Sequence, residues 1–299
     1  MRTAFITTLL EQAKRHPDLF LLTGDLGYSV VEPFRDSFPE RFLNVGVAEQ
    51  NMTGIAAGLA SEGYQVFTYS IANFPTLRCL EQIRNDICHH QLSVTVVGVG
   101  AGLAYGALGY SHHAVQDLAC MRGFPGMLLA TPGDPLEAAA ATAFLCRHRG
   151  PAYLRLGKAG EHVVHAAPPL LQLPGFLTVM PGGDRAVIAC GTVLAMAAEP
   201  ARRENTALIS AVLWGDLPDV GQAVRDLVAR HRRVVVVEEH LRAGGFGSFV
   251  RECLEPCPEL NARVRCLALS PESSHVVGSQ NFCRHQGGVT QEAIQAALN

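Results

Sequence analysis

Short apolar runs alternate along the chain with stretches whose polar and apolar residues recur at helical spacing. The runs cover 19–23, 65–69, 94–99, 127–130 and 152–156, then 186–190, 207–213, 233–238 and 263–268. Strands separated in this way by helices are the pattern of parallel sheets with crossover connections, so the predicted fold class is α/β. Asp134 followed by Pro135 reads as an N-cap and first helical residue opening an alanine-rich helix over 136–147. Thr290 is placed to cap a terminal helix running to Leu298, and further helices are predicted over 76–88 and 114–122. Between residues 160 and 184 the rhythm breaks at Pro168, Pro169, Pro174 and Pro181, joined by Gly175, Gly182 and Gly183. This predicts two domains, 1–160 and 185–299, joined by a linker over 161–184.

Composition narrows the function classes. A formal charge of -3 without any basic run gives no electrostatic reason for nucleic acid or an anionic membrane as partner. Charged residues from Arg2 to Asp18 interrupt any signal-peptide-like run, and no apolar stretch is long enough to span a bilayer. The nine cysteines form no CxxC pair, which suits reduced thiols and a cytoplasmic location. Cys253, Cys257 and Cys266 lack the paired knuckles of a zinc site, so no metal is expected on them.

Three windows carry candidate chemistry. In FLNVGVAEQNMTGIAAGLAS, residues 42–61, Glu49 is the one charged residue, and the small residues Gly54, Ala56, Ala57, Gly58 and Ala60 predict a helix packed closely on other backbone. A carboxylate opening a buried helix is costly to ionise without a partner, which points to a proton-sharing role. The plainer account, an acid complementing the positive end of a helix, fits the spacing equally well. The second window, GVGAGLAYGALGYSHH over 98–113, has glycines that permit tight turns and close approach of backbone to a ligand. It is neither a dinucleotide fingerprint, since Leu103 takes the third glycine position, nor a Walker loop. One of the adjacent His112 and His113 is expected to face a site, whereas His89 and His90 at the end of a predicted helix receive no chemistry. The third window places Phe74 at a helix start, either covering a flat ligand or filling the core.

The segments VGVAEQNM, NFPTLRCLEQIRND, GLAYGALGYSHHAVQD and PAYLRLGKAG stand in the order and approximate spacing of transketolase-type pyrimidine-binding domains. The later VVVVEEHLRAGGFGS resembles the C-terminal domain that follows them in that superfamily. The resemblance covers nearly the whole chain, whose length is similar to the separately encoded C-terminal subunit of a split transketolase. It implies two three-layer domains, a parallel-sheet pyrimidine-binding domain and a smaller C-terminal domain with a mostly parallel sheet. It further implies a two-carbon ketol transfer from a ketose to an aldose through thiamine diphosphate.

By the same resemblance Glu49 is the catalytic glutamate that hydrogen-bonds N1′ of the aminopyrimidine, and Phe74 is the aromatic that stacks on it. Arg78, near the same wall, and Asp25 of TGDLG, which matches an acidic position close to the cofactor, are by the same resemblance the other cofactor-binding candidates. His112 aligns with a histidine that contacts substrate and assists proton transfer; His113, Arg155 and Lys158 are the accompanying candidates for substrate binding. Departures point to an unusual donor or acceptor. Leu108 stands where sugar-phosphate transketolases carry an acid, Tyr110 where proline is common and Gly100 where histidine often lies. Lys158 takes the place of a phosphate-binding arginine without its bidentate fork.

The Gly-Asp-Gly motif and downstream asparagine with which the family holds Mg2+ and diphosphate are missing. The resemblance therefore implies a partner, the N-terminal transketolase subunit, which mainly holds Mg2+ and diphosphate, in an α2β2 assembly with the active site at the interface. The rival readings are a 2-oxo acid dehydrogenase β-type subunit, which shares this architecture, a non-catalytic scaffold subunit, and a plain sugar-binding module.

Overall fold

The computed structural model describes residues 1–299 and assembles them around one continuous sheet. The first half contributes β1 (Leu19–Thr23), β2 (Phe42–Asn44), β3 (Gln65–Ile71), β4 (Val94–Val99), β5 (Leu128–Ala130) and β6 (Ala152–Leu156). These six run parallel in the order β5-β6-β4-β3-β1-β2. The second half adds β7 (Gly175–Met180), β8 (Arg185–Cys190), β9 (Ala207–Trp214), β10 (Arg233–Leu241) and β11 (Val264–Leu269). Here β9-β8-β10-β11 is parallel and β7 lies antiparallel on β9. Crossover helices cover both faces, so β4 and β6 are buried along their full length, which explains apolar runs without strict alternation. The result is two α/β domains, the class that the hydrophobic pattern predicts. No helix is long and apolar enough to cross a membrane.

Two strands escape that pattern. The segment 175–180 lies inside the stretch expected to be linker, yet it contains no proline and pairs with an edge of β9. Strand β2 has three residues and a half-exposed face, too short to show any period. The helix predicted over 76–88 forms, but with changing pitch: a tight turn at Leu77–Cys79, one α-turn at Leu80–Gln82 and a wide π-turn at Ile83–Cys88. Both predicted caps are present, the Asp134 carboxylate accepting from the Glu137 amide at 2.8 Å and the Thr290 hydroxyl from the Ala293 amide at 3.1 Å.

The domains are stitched together where β5 meets β9 antiparallel, through the pairs Leu129–Trp214 and Ala130–Leu213. Trp214 is wholly buried, and its indole N–H donates to the Thr131 hydroxyl at 2.8 Å, so the ring is packed without an orphaned donor. Phe246 and Phe249 close around it at 4.9 and 5.2 Å between ring centroids. One apolar cluster consequently runs from Leu22 and Met52 in the first domain to Trp214, Val236 and Phe246 in the second, whereas on the opposite face two clusters each centre on one domain, the first taking in Val212 and Leu213 of β9 and the second Leu103 and Val115. That shared core fixes how the loops of the second domain brace those of the first.

Candidate active site

Parallel strands in one sheet deliver their following loops to the same edge, the usual place for a ligand in open α/β sheets. At that edge lie the turn after β1 with Gly24 and Asp25, the helix Glu49–Ser61 after β2, the Phe74–Arg78 turn after β3 and the glycine loop after β4. Glu49 begins its helix with no side-chain cap before it, and its side chain is only 2% exposed. Gly24 packs directly against it: a Cβ at that position would touch Glu49 Cγ at 3.4 Å. Asp25 adopts a left-handed conformation, φ 56°, which aspartate tolerates better than most residues. Its carboxylate accepts from the Asn44 amide at 3.1 Å and the Tyr28 hydroxyl at 2.9 Å, and these bonds, Asn44 first, hold its pKa below the ordinary value.

Sequence reasoning treats Glu49 as an uncompensated acid, and the structure corrects this. Arg78 Nη1 donates to Glu49 Oε2 at 2.6 Å, while the same guanidinium lies 4.6 Å from the centroid of the Phe74 ring. The Arg78 side chain is 46% exposed, so the pair has one closed end and one open end. Phe74 in turn meets the His112 ring edge-on at 5.4 Å, and His112 Nδ1 lies 2.9 Å from the Ser111 hydroxyl. The cavity here, about 550 Å³, is lined by Asn73, Phe74, Leu77, Arg78, Tyr110, Ser111 and Gln116. Asn73 donates to the Ser111 and His113 carbonyls at 3.1 and 3.0 Å and so ties the β3 turn to the glycine loop, but its own Oδ1 is buried without a donor. Asn73 bears on this site and escaped sequence reasoning, since an asparagine before a helix start reads as an ordinary turn residue.

Glu49, Asp25, Phe74, Arg78 and His112 thus gather at one edge; the other candidates do not. His113 is fully buried, its ring nitrogens 3.2 Å from the Ser274 carbonyl and 3.3 Å from that of Gly106, so it joins the glycine loop to the second domain and does not face the cavity. Arg155 is likewise buried. It donates to both Asp117 oxygens, at 2.7 and 3.2 Å, and to the Ala114 and Glu239 carbonyls, which leaves no face for a sugar. Burial alone raises the Asp117 pKa, but Arg155 overrides it and holds the carboxyl below its ordinary value. Lys158 is exposed and lines a separate groove of about 710 Å³ between the domains.

Glycines of the loop serve this bracing more than any ligand. A Cβ on Gly98 would sit 2.6 Å from the Tyr153 hydroxyl, which itself donates to Asp117 at 2.7 Å. At Gly102, φ 60°, a Cβ would lie 2.6 Å from Glu239 Cγ. Glu239 accepts from the Leu103 amide at 2.7 Å and is matched by Arg284, Gln280 and Thr192 of the second domain. The close helix packing expected of Gly54 and Gly58 is not made within the chain, since both positions face open space.

A buried carboxylate, a flat aromatic beside it and an acceptor lacking a donor fit a heteroaromatic ring that carries a ring nitrogen and an amino group. The fit stops at that ring, for no group of three or more His, Cys, Asp or Glu side chains is arranged to hold a metal ion.

Comparison with known proteins agrees in extent with this geometry. Residues 1–160 match the model of the transketolase pyrimidine-binding domain and residues 177–281 that of the transketolase C-terminal domain. The chain therefore belongs to the transketolase family. Within it, the chain corresponds to the C-terminal-type subunit of the split form. It is 33% identical over 298 residues to one of the subunits of the apulose-4-phosphate transketolase of Phocaeicola vulgatus, covering 98% of this chain and 94% of that one. Identity to a 6-deoxy-6-sulfo-D-fructose transketolase subunit of a Clostridium species is 30%, covering 99% and 93%. Among solved structures, a split-gene transketolase in an inactive β4 tetramer superposes with a TM-score of 0.87 at 30% identity, covering 99% of this chain and 96% of that one.

Proposed function

We propose that the chain is the pyrimidine-binding subunit of a heteromeric transketolase that moves a two-carbon ketol unit from a phosphorylated or otherwise modified ketose to an aldose. The observation that carries this reading is Glu49, a carboxyl 2% exposed beside an aromatic face at the carboxyl edge of a parallel sheet. Thiamine diphosphate, when bound, supplies the electron sink that carbon–carbon cleavage requires. Glu49 holds a proton against the ring nitrogen N1′ and Phe74 offers its face to the pyrimidine. His112, oriented through Ser111, presents its remaining nitrogen to a substrate hydroxyl. Asp25 steadies the β1 turn that borders Glu49.

Mg2+ and the diphosphate are assigned to an N-terminal-type partner subunit, with two copies of each chain in an α2β2 assembly. The relative solved as an inactive β4 tetramer supports a chain that is idle without such a partner. Two relatives named for apulose-4-phosphate and for 6-deoxy-6-sulfo-D-fructose support a modified substrate, as does Leu108 where the resemblance expects an acid. The test is reconstitution with a diphosphate-binding partner and assay of ketol transfer. Glu49→Gln is expected to lower kcat by about 10²–10⁴-fold while the assembly elutes unchanged. Wild-type rates in that variant overturn the reading, and 2-oxo acid decarboxylation in place of ketol transfer replaces it with the dehydrogenase alternative.

A further inference from the structure

Arg78 makes, at one place, both contacts that the candidate site offers to a flat heteroaromatic ring. Its planar guanidinium lies over Phe74 at 4.6 Å and donates an N–H to the buried Glu49 oxygen at 2.6 Å. Guanidinium and aminopyrimidine share the features the site reads, a flat π-surface and a nitrogen within reach of the carboxyl. We infer that Arg78 is an internal stand-in for the pyrimidine, occupying its seat in the unloaded subunit and leaving when the cofactor enters. This rests on the functional reading above and goes beyond it, because it turns Arg78 from a cofactor ligand into a competitor of the cofactor.

The physical reason for such a device lies in Glu49. A carboxylate 2% exposed is costly to leave unpaired, and the unloaded site would otherwise hold an unmatched buried acid beside an open cavity. Arg78 supplies the match. The pair is built to open, since the arginine side chain is 46% exposed and needs only side-chain rotation to reach solvent. Its backbone carbonyl is tied to the neighbouring helix, accepting from the Gln50 side-chain amide at 3.1 Å. Neither oxygen of Glu49 is bound by any other side chain. By contrast, Asp117 and Glu239 each hold their arginine with further donors from other elements, Tyr153 for one and Leu103, Thr192 and Gln280 for the other. Of the three buried acids paired with arginine, Glu49 alone is held by nothing else.

When the seat is occupied by its own arginine, apparent cofactor affinity falls by the fraction of time the seat is free. An arginine seated about nine-tenths of the time weakens binding about tenfold. The experiment is calorimetric titration of thiamine diphosphate, with Mg2+ present, into the assembled complex of this chain and its diphosphate-binding partner. Arg78→Ala is expected to tighten binding five- to tenfold, and Arg78→Lys, which keeps the charge and loses the plane, to fall between it and wild type. In a Glu49→Gln background, where the arginine loses its anchor, the gain from Arg78→Ala is expected to vanish.

Weaker or unchanged binding in Arg78→Ala overturns the inference and returns Arg78 to the role of ligand or plain scaffold. A gain that persists in the Glu49→Gln background also overturns it, because the ion pair is then not its origin. A wild-type complex that binds no thiamine diphosphate overturns the functional reading and this inference together. Binding in the wild type with no gain in the variant overturns the inference alone.

Discussion

Two carboxylate–arginine pairs in the first domain have nearly the same bond and opposite surroundings. Asp117 and Arg155 meet at 2.7 Å with both side chains at 1% exposure or less, whereas Glu49 and Arg78 meet at 2.6 Å with the arginine half in solvent. The closed pair has further partners: Tyr153 donates to Asp117, two carbonyls accept from Arg155, and the pair joins the end of the glycine loop to β6 and β10. The open pair has a cavity on one side and an aromatic face beneath it. Distance therefore does not separate a structural ion pair from a functional one; what else each oxygen is bonded to, and whether water or a ligand reaches the pair, does.

The comparison is broken most forcefully by deleting the arginine from each pair. Arg155→Met leaves Asp117 buried with its main partner gone and is expected to lower unfolding free energy by about 3–5 kcal/mol. Arg78→Met, with cavity water able to replace the guanidinium, is expected to lose about 1–2 kcal/mol. Urea unfolding of the two variants reads the difference directly, and equal losses would show that the second pair is as closed as the first.

Next in size is a dependence on pH carried by the surroundings of the closed pair. His240 lies 3.9 Å from Asp117 and is wholly buried, and burial pushes its pKa from 6.5 down to about 4. The folded state therefore holds fewer protons than the unfolded one between those values, so this residue's contribution is full above pH 6.5 and is lost as pH falls toward 4. The amount is about 3 kcal/mol. Its neighbour Glu238 runs the other way. Burial raises it to about 7 against the opposing bonds from the Gly247 and Phe246 amides, so its folded form keeps a proton that the unfolded form gives up above 4.5. That contribution declines as pH rises from 4.5 to 7, and the two windows oppose each other. His240→Gln removes one of them. Relative to wild type, the variant is expected to gain up to about 3 kcal/mol in the urea midpoint analysis between pH 7 and pH 4.5, and an offset constant with pH contradicts the assignment.

The smallest effect belongs to the floor of the open pair. Phe74→Ala removes a ring contact worth about 0.5–1.5 kcal/mol, so thiamine diphosphate binding to the assembled complex is expected to weaken by about tenfold or less. No change in calorimetric affinity would mean that Phe74 is a core residue and the cofactor face lies elsewhere.

How much of this was legible in the chain differs by element. Long buried strands such as 94–99 and 152–156 declare themselves because burial on both faces leaves only apolar residues to choose from. Strand 175–180 hides behind flanking prolines and glycines, and β2 is three residues long, so neither carries a period to read. Of the candidate site, Glu49 was legible as one acid in an apolar window, and Phe74 as an aromatic at a helix start. His113 and Arg155 were not separable from His112 and Lys158, since adjacency and spacing say nothing about which side chain turns inward.

The sequence by itself determined the α/β class, most strands, two helix caps and, through its resemblance to transketolase-type domains, the candidate residues. Those are local properties, set by residue size, branching and periodicity. Only the tertiary structure decided that Arg78 reaches Glu49 across 29 residues, that Arg155 is sealed against Asp117 and that Trp214 joins two domains into one core. Such pairings depend on which loops a parallel sheet delivers to a common edge, and that is fixed by strand order in space, which no window along the chain contains.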